Sequence, residues 1–248
     1  MKAIAFAKYG KPTMLKKTEV PYPHGFDASK NVVIKVHASS VNPVDKILLS
    51  GDLKLVFPVA EFPHVISYDV AGVVEKADSK GVFSVGQPVF ARIWGDVDDD
   101  KKTPWFRGAM AEFCVARTSD VVTKPDNISF EEAASIPLAG MTAFQVLKES
   151  GLKEGDSVFI SGGAGGVGTM AIQLAKHVFK AGLVVTTASK GEKMDLCKSL
   201  GADEVLDYKS ESFVTVYGND DSTKFDVCFD TTAEGLEMVK IIKEGGRI

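Results

Sequence analysis

The sequence predicts a mixed α/β chain in two parts, a β-rich first half and a parallel sheet with helices in the second. Three observations carry that prediction. Apolar residues up to about Lys124 come in short, strand-length runs. Beyond Pro125, strand-like and helical periods alternate. A glycine-rich turn, residues 161–168, joins two of those later elements. Residues 1–124 are therefore expected to form a β domain and residues 125–248 an α/β domain.

Residues 3–7, 32–36, 70–74, 88–93 and 110–115 are the runs that read as strands. Asn42-Pro43, Gly51-Asp52 and the Val85-Gly86-Gln87-Pro88 stretch punctuate them. Such residues supply turn dihedrals at little cost, and short strands at this spacing predict a barrel-like domain. Ser129, followed by Glu131 and Glu132, starts a helix over the EEAASI stretch, because a serine cap and a third-position glutamate satisfy free N–H groups reciprocally. Pro137 falls near the end of that helix, and 142–150 reads as a second one. Then come a strand at 157–161, the glycine turn, a helix at 167–179, a strand at 184–188 and a helix at 192–200. Strands at 204–206 and 226–229 and a helix at 235–243 complete the series. Alternation of this kind means βαβ units and a parallel sheet.

Composition narrows the function. The 29 Lys and Arg are scattered and the net charge is −4, so no basic stripe for nucleic acid exists. No apolar run approaches the ~18 residues of a membrane span. The N-terminal MKAIAFAKYG alternates like a first strand rather than a signal peptide. Cys114, Cys197 and Cys228 are odd in number and lie in apolar contexts, which predicts buried free thiols and a cytoplasmic setting. The acidic run at 96–102 lacks the glycine and closing glutamate of a calcium loop and reads as a solvated loop tip.

The glycine turn contains GxGxxG as Gly163, Gly165 and Gly168. Alone the motif is weak, but here an apolar strand precedes it and an amphipathic helix follows. The first glycine permits the tight turn, the second admits a pyrophosphate to the backbone, and the third lets helix and strand pack closely. The helix N-terminus adds free N–H groups. The expectation is a Rossmann-type dinucleotide site, against the alternative of a tight turn without a ligand. The second strand ends in Ala188-Ser189-Lys190-Gly191-Glu192-Lys193, where NAD-binding units usually place a carboxylate for the ribose hydroxyl. Ser189, Lys190 and Lys193 suit a 2′-phosphate instead, so NADPH is the expected cofactor; the alternative is that these lysines are ordinary surface charges. Glu192 is expected to face solvent as a helix-dipole partner.

With these residues in place, the chain resembles the zinc-free quinone and enone oxidoreductases of the medium-chain dehydrogenase/reductase superfamily, most closely the 2-alkenal/enone reductases. The resemblance runs over essentially all 248 residues, through VNPVDKILLSG, YDVAGVV, VGQPVFA, GAMAEFCVA, EEAASIPLAGMTAFQVL, SGGAGGVGTMAIQLAK, KSLGADEVLDY and FDVCFDTTAEGLE. It implies a GroES-like catalytic domain joined to the Rossmann domain, with the active site in the cleft between them. It places Asn42 near the nicotinamide and substrate, and Thr142 at the cofactor's ribose or phosphate. Gly165, Gly166 and Val167 would meet the pyrophosphate, and Ser189, Lys193 and Tyr208 the 2′-phosphate. Thr231 lies in a turn, residues 230–233, that replaces the family's usual small-glycine turn beside the cofactor. Asn42 also has the plainer reading of an Asx turn before Pro43, and Tyr208 that of a strand-end aromatic.

Zinc-dependent relatives carry a cysteine near Asn42, a histidine at Tyr68 and a four-cysteine lobe around residues 95–105, and none of these ligands stands here, so no metal is expected. The implied chemistry is NADPH-dependent hydride transfer to a small electrophile, an enone, alkenal or quinone. Asn42 is the first positioning candidate, with Tyr68 and Lys46 behind it, and solvent is expected to supply the final proton. Ser67 replaces a glycine common in relatives, and the stretch after Gly51 lacks a tyrosine of bacterial quinone oxidoreductases, which favours enones. The chain stops at Ile248, where family members continue through the edge strand used for dimerisation; a full-length form is expected to be a homodimer. The alternative function is a catalytically silent NADPH-binding protein with a redox-sensing or structural role.

Overall fold

A computed structural model describes residues 1–24, 26–56, 58–59, 62–93 and 108–248. The acidic run at 96–102, and with it the region where zinc-dependent relatives carry their cysteine lobe, lies outside the described residues. The chain divides into two compact units, Met1–Leu138 and Ala139–Ile248.

The first unit contains strands β1 (Lys2–Phe6), β2 (Lys16–Glu19) and β3 (Asn31–Ser39), helix α1 (Pro43–Ser50), strands β4 (His64–Val65), β5 (Asp69–Lys76), β6 (Pro88–Arg92), β7 (Phe113–Arg117) and β8 (Val121–Thr123), and helix α2 (Phe130–Ser135). An antiparallel sheet runs in the order β7-β3-β5-β6-β8, and a smaller one in the order β2-β1-β4. Alternation along the strands sends Val32, Ile34, Val70, Val74, Val89 and Ala91 into one core, while Val33 and Val115 pack on the opposite face. Four of the five runs expected as strands are strands over most of their length, and the run at 110–115 becomes strand from Phe113.

Helix α3 (Pro137–Glu149) leads into the second unit. There follow β9 (Ser157–Ile160), α4 (Gly166–Gln173), β10 (Leu183–Ala188), α5 (Glu192–Ser199), β11 (Glu204–Asp207), α6 (Phe213–Tyr217), β12 (Phe225–Phe229), α7 (Gly235–Met238) and β13 (Ile242–Arg247). The sheet is parallel, in the order β11-β10-β9-β12-β13. Numbered from β9, that order is 3-2-1-4-5, the doubly wound arrangement whose ligand crevice opens where the order reverses. Both faces are covered. Val158 and Ile160 join one core with Leu147, Ile172 and Val227, while Phe159 joins the other with Phe213, Phe225 and Ile241. Burial on both sides explains why these strands are continuously apolar.

The structure corrects several element assignments. Pro137 opens α3 rather than sitting near the end of the preceding helix, because proline's fixed φ and missing N–H suit a first helical turn. The Ser129 cap is as expected, with Glu132 N–H on Ser129 Oγ at 3.1 Å and Ser129 N–H on the Glu132 carboxylate at 2.7 Å. The expected helix at 235–243 ends at Met238, and the chain becomes strand β13 from Ile242. Helix α6 and strands β2, β4 and β8 are too short to print a period in the sequence.

Candidate functional site: a dinucleotide pocket and a buried polar network

The first strand of the parallel sheet ends at Ile160, and the turn behind it is held from both sides. Gly162 N–H donates to Thr187 Oγ1 and Gly163 N–H to the Thr187 carbonyl, each at 2.9 Å. On the other side Thr231 N–H donates to Ser161 Oγ at 2.8 Å, and Thr231 Oγ1 donates to the Ser161 carbonyl at 2.7 Å. Ser161 Oγ donates in turn to Asp230 at 3.1 Å. Burial opposes the Asp230 charge, but hydrogen bonds from Thr232, Glu234, Ser161 and Gly235 outweigh it and lower its pKa.

The glycines of the turn have different tasks. A Cβ on Gly163 would stand 2.2 Å from Thr186 Oγ1, and one on Gly168 2.3 Å from the Gly162 carbonyl. Both contacts are forbidden, so these two glycines let strand, turn and helix pack. Gly162 has φ +63°, a left-handed conformation that favours glycine. A Cβ on Gly165 would meet only the Gly162 carbonyl, at 3.2 Å, and one on Gly166 only Ala139, at 3.9 Å. Both are exposed, and Gly165 caps α4. The fold places little demand on Gly166 and a moderate one on Gly165, and both leave bare backbone open to a ligand.

A cavity of about 540 Å³ opens here, lined by the chain just beyond four strand ends: Gly162, Ala164 and Gly165 after β9, Ser189 and Lys193 after β10, Tyr208 after β11, and Thr231, Thr232 and Glu234 after β12. That volume lies in the range of small-molecule sites. Of the residues read from the sequence, Gly165, Ser189, Lys193, Tyr208 and Thr231 line it. Gly163 and Gly168 lie buried behind it; Gly166 and Val167 form the first turn of α4 but are not lining residues. Thr142, half-buried on α3, and Lys190, exposed beyond β10, do not line it, and neither does Glu192, which is exposed. Thr187, Ala188 and Glu234 line it too, because the sheet order brings β10 and the segment after β12 to the same turn, and Thr232 falls in the 230–233 turn that the resemblance sets beside the cofactor.

The first unit holds a second constellation, around Asn42. This half-buried residue caps α1, with Pro43 in the first turn. Its amide nitrogen donates to Asp69 Oδ2 at 2.7 Å and to Ser40 Oγ at 3.1 Å, and Ser40 Oγ donates to Asp69 Oδ2 at 2.6 Å. The other Asp69 oxygen takes the Leu138 N–H at 2.9 Å. Beneath lies Asp45, which accepts the backbone N–H groups of Asn42 at 2.7 Å and Ser67 at 2.8 Å. Burial, with Asp69 adding to it, raises the Asp45 pKa above its ordinary value, and those two hydrogen bonds only partly oppose the rise. Ser67 is fully buried at φ +73°. Its hydroxyl donates to the Ser40 carbonyl and meets Ser39 Oγ, both at 2.6 Å. Lys46 is exposed on α1, and Tyr68 is buried at 8% exposure. Among the described residues no group of three or more His, Cys, Asp or Glu is placed to hold a metal ion, and no helix is long and apolar enough to cross a membrane.

An antiparallel unit joined in one chain to a doubly wound parallel unit with a glycine turn at its switch point defines a class, the medium-chain dehydrogenase/reductase architecture. Comparison with known proteins agrees. Residues 28–126 match the alcohol dehydrogenase GroES-like domain family, and residues 166–248 match the zinc-binding dehydrogenase family. The chain is 41% identical to a 2-methylene-furan-3-one reductase of Solanum lycopersicum over 252 aligned residues, covering 100% of this chain and 61% of that protein. It is 38% identical to the chloroplastic NADPH-dependent alkenal/one oxidoreductase of Arabidopsis thaliana, again covering 100% of this chain and 61% of the relative. Among solved structures, the quinone oxidoreductase of Coxiella burnetii superposes with a TM-score of 0.82 at 33% identity, over 99% of this chain and 74% of that one. The chain belongs to the quinone and enone oxidoreductase branch of the medium-chain dehydrogenase/reductase superfamily. It spans 61% of the length of the two plant relatives.

Proposed function

We propose that the chain binds NADPH and serves a metal-independent reduction of an α,β-unsaturated carbonyl, an enone or alkenal. The observation that carries this reading is the wall of the cavity beyond β10 and β11, where Ser189, Lys193 and Tyr208 stand and no carboxylate from the tip of β10 takes part. Hydroxyl and ammonium donors suit a 2′-phosphate, whereas a carboxylate there would repel it. Gly166 and Val167 would take the pyrophosphate on the free N–H groups of α4, and Gly165, whose own N–H bonds the Gly162 carbonyl, would admit it past a bare backbone, with Thr231 and Thr142 on the ribose and phosphate. Bound NADPH supplies a hydride, which a conjugated carbonyl accepts without a Lewis acid because charge spreads onto its oxygen. Asn42 would orient the reactants, and the exposed Lys46 ammonium, one turn along α1, would donate to that oxygen as it charges. Tyr68, buried in the first unit, would be a weaker positioning candidate. The plant relatives, at 41% and 38% identity, are named for enone and alkenal reduction, which favours those substrates over quinones.

The test is NADPH oxidation, followed at the nicotinamide absorbance, with enones, alkenals and quinones and with NADH as control. Turnover with NADPH and an enone is expected, and Asn42→Ala should lower it about tenfold or more while cofactor binding persists, as expected for a lost orienting contact. NADPH binding without turnover of any substrate would identify a silent binder instead.

A further inference from the structure

One end of the antiparallel sheet β7-β3-β5-β6-β8 gathers three chain segments. Asn31, which starts β3, pairs with Arg117 at the end of β7, and Val33 pairs with Lys76 at the end of β5. Backbone bonds fasten the segments just outside the sheet. Thr118 N–H donates to the Lys30 carbonyl at 2.8 Å, and Ser79 N–H to the Ala28 carbonyl at 2.7 Å. Between the segments lies a cavity of about 330 Å³, lined by the cations Lys30, Lys80 and Arg117 and by the hydroxyl residues Ser29, Thr118 and Ser119. Among the described residues no carboxylate lines it.

The carboxylates of these segments are occupied by their own turns. Asp27 accepts the Ser29 N–H at 2.8 Å and the Ser29 hydroxyl at 2.6 Å. Asp78 accepts the N–H groups of Lys80, Val82 and Phe83, and Asp120 takes the Ser119 hydroxyl at 2.8 Å. Asp27 also stands 3.7 Å from the Lys30 ammonium, but both side chains are exposed and such a pair is weak. Thr118 Oγ1, buried in the cavity wall, has no hydrogen-bond partner among the described residues. The hydrogens of Ser29 and Ser119 are spent, so Thr118 is the lining hydroxyl with one left to give.

We propose that this cavity is a second ligand site, built for a phosphate group, in which Lys30, Lys80 and Arg117 supply charge and Thr118 a directed hydrogen bond. Ammonium, guanidinium and hydroxyl donors are the side chains that hold phosphate oxygens. The site is separate from the dinucleotide pocket, which belongs to the other unit. It is separate also from the Asn42 network, which follows the far end of the nine-residue β3, about 25 Å along the strand. Free phosphate esters and phospholipid headgroups share this chemistry, and a concave volume of this size favours the free ester.

The full chain would be titrated with inorganic phosphate at constant ionic strength, with chloride as the balancing ion, while backbone amide NMR shifts are followed. Saturable shifts are expected at residues 29–31, 79–82 and 117–119, with a dissociation constant on the order of 1 mM. Lys30→Gln combined with Lys80→Gln should weaken phosphate about tenfold or more, and Thr118→Val about threefold or more, as lost charge-assisted hydrogen bonds require. Thr118→Val should melt no lower than wild type, because its hydroxyl has no partner to lose, and NADPH affinity should be the same in every variant. Sedimentation with phosphatidylcholine vesicles carrying phosphatidic acid separates the two sources of phosphate. Shifts that follow ionic strength alone, or that survive unchanged in the double variant, would mark the cations as solvated surface and overturn the site. Retention on the vesicles without saturable phosphate binding would overturn the free ester as its ligand. Failure to bind NADPH would remove the function proposed above and leave this site standing.

Discussion

At the scale of single residues, the two sites reveal their purpose through what the backbone tolerates. Ser67 sits at φ +73°, where a side chain costs of the order of 1 kcal/mol relative to glycine. Its hydroxyl bonds to Ser40 and Ser39 offset that cost and tie β3 to the segment before β5. The sequence marked this position only as a departure from the family's glycine, and the structure gives the departure a reason. The GxGxxG turn likewise separates into fold and ligand. Gly168→Ala should lower stability by about 2 kcal/mol or more, because its Cβ would meet the Gly162 carbonyl and the Gly163 backbone. Gly165→Ala should melt within a few degrees of wild type and weaken NADPH instead. Melting curves beside cofactor titrations check the pair, and a stable Gly168→Ala would break the division.

At the scale of elements, the parallel sheet is fastened at its amino ends and open at its carboxyl ends. Asp226 on β12 accepts Ser157 N–H and Oγ from the start of β9, each at 2.8 Å, and the Lys243 ammonium of β13 at 2.9 Å. Arg247 adds bonds to Asp156 at 3.2 Å and to the Gly151 carbonyl at 2.8 Å. Burial opposes the Asp226 charge, but the Ser157 N–H and the Lys243 ammonium prevail and hold its pKa at about 2. A depressed carboxylate pKa stabilises the folded state above the ordinary value, and that stability fades as pH falls toward the folded value. Unfolding free energy should therefore drop between about pH 4 and pH 2, by about 1–2 kcal/mol once partial exposure of the pair is discounted. Denaturant titrations across that range should show a drop smaller by about that amount in Asp226→Asn than in wild type, the remainder coming from other lowered carboxylates such as Asp230. This fastening leaves the opposite edge free for the cavity, where hydrogen bonds hold the turn without filling it.

At the scale of the whole molecule, each unit carries its own reporter. Cys114 lies at 0% exposure in the first unit, and Cys197 and Cys228, at 0% and 2%, lie in the second. Burial pushes the Cys114 and Cys228 thiols up to about 12 and raises Cys197 as well. A thiol reagent should label none of them in the native chain, and labelling should follow the opening of the unit concerned. NADPH at a hundred times its dissociation constant should slow labelling of Cys197 and Cys228 about a hundredfold when opening is complete, since binding stabilises the native unit by about 2.7 kcal/mol. Mass spectrometry of the labelled peptides reads the rates, and equal rates with and without NADPH would count against the pocket as its site.

The sequence by itself determined the two-part α/β plan, the five apolar strands of the first unit, the Ser129 cap and the glycine turn. These depend on local periodicity and backbone permission, which neighbouring residues reveal. It also marked Ser189, Lys193, Tyr208 and Thr231, through strand-end position and family resemblance. The tertiary structure alone decided that Thr187 and Glu234 share the cavity with them, because a 3-2-1-4-5 order joins strand ends far apart in sequence. It alone decided that the Asn42 amide nitrogen is spent on Asp69 and Ser40. The partner responsible, Asp69, is 27 residues away, and no period or spacing records which way a buried amide must turn to satisfy a carboxylate.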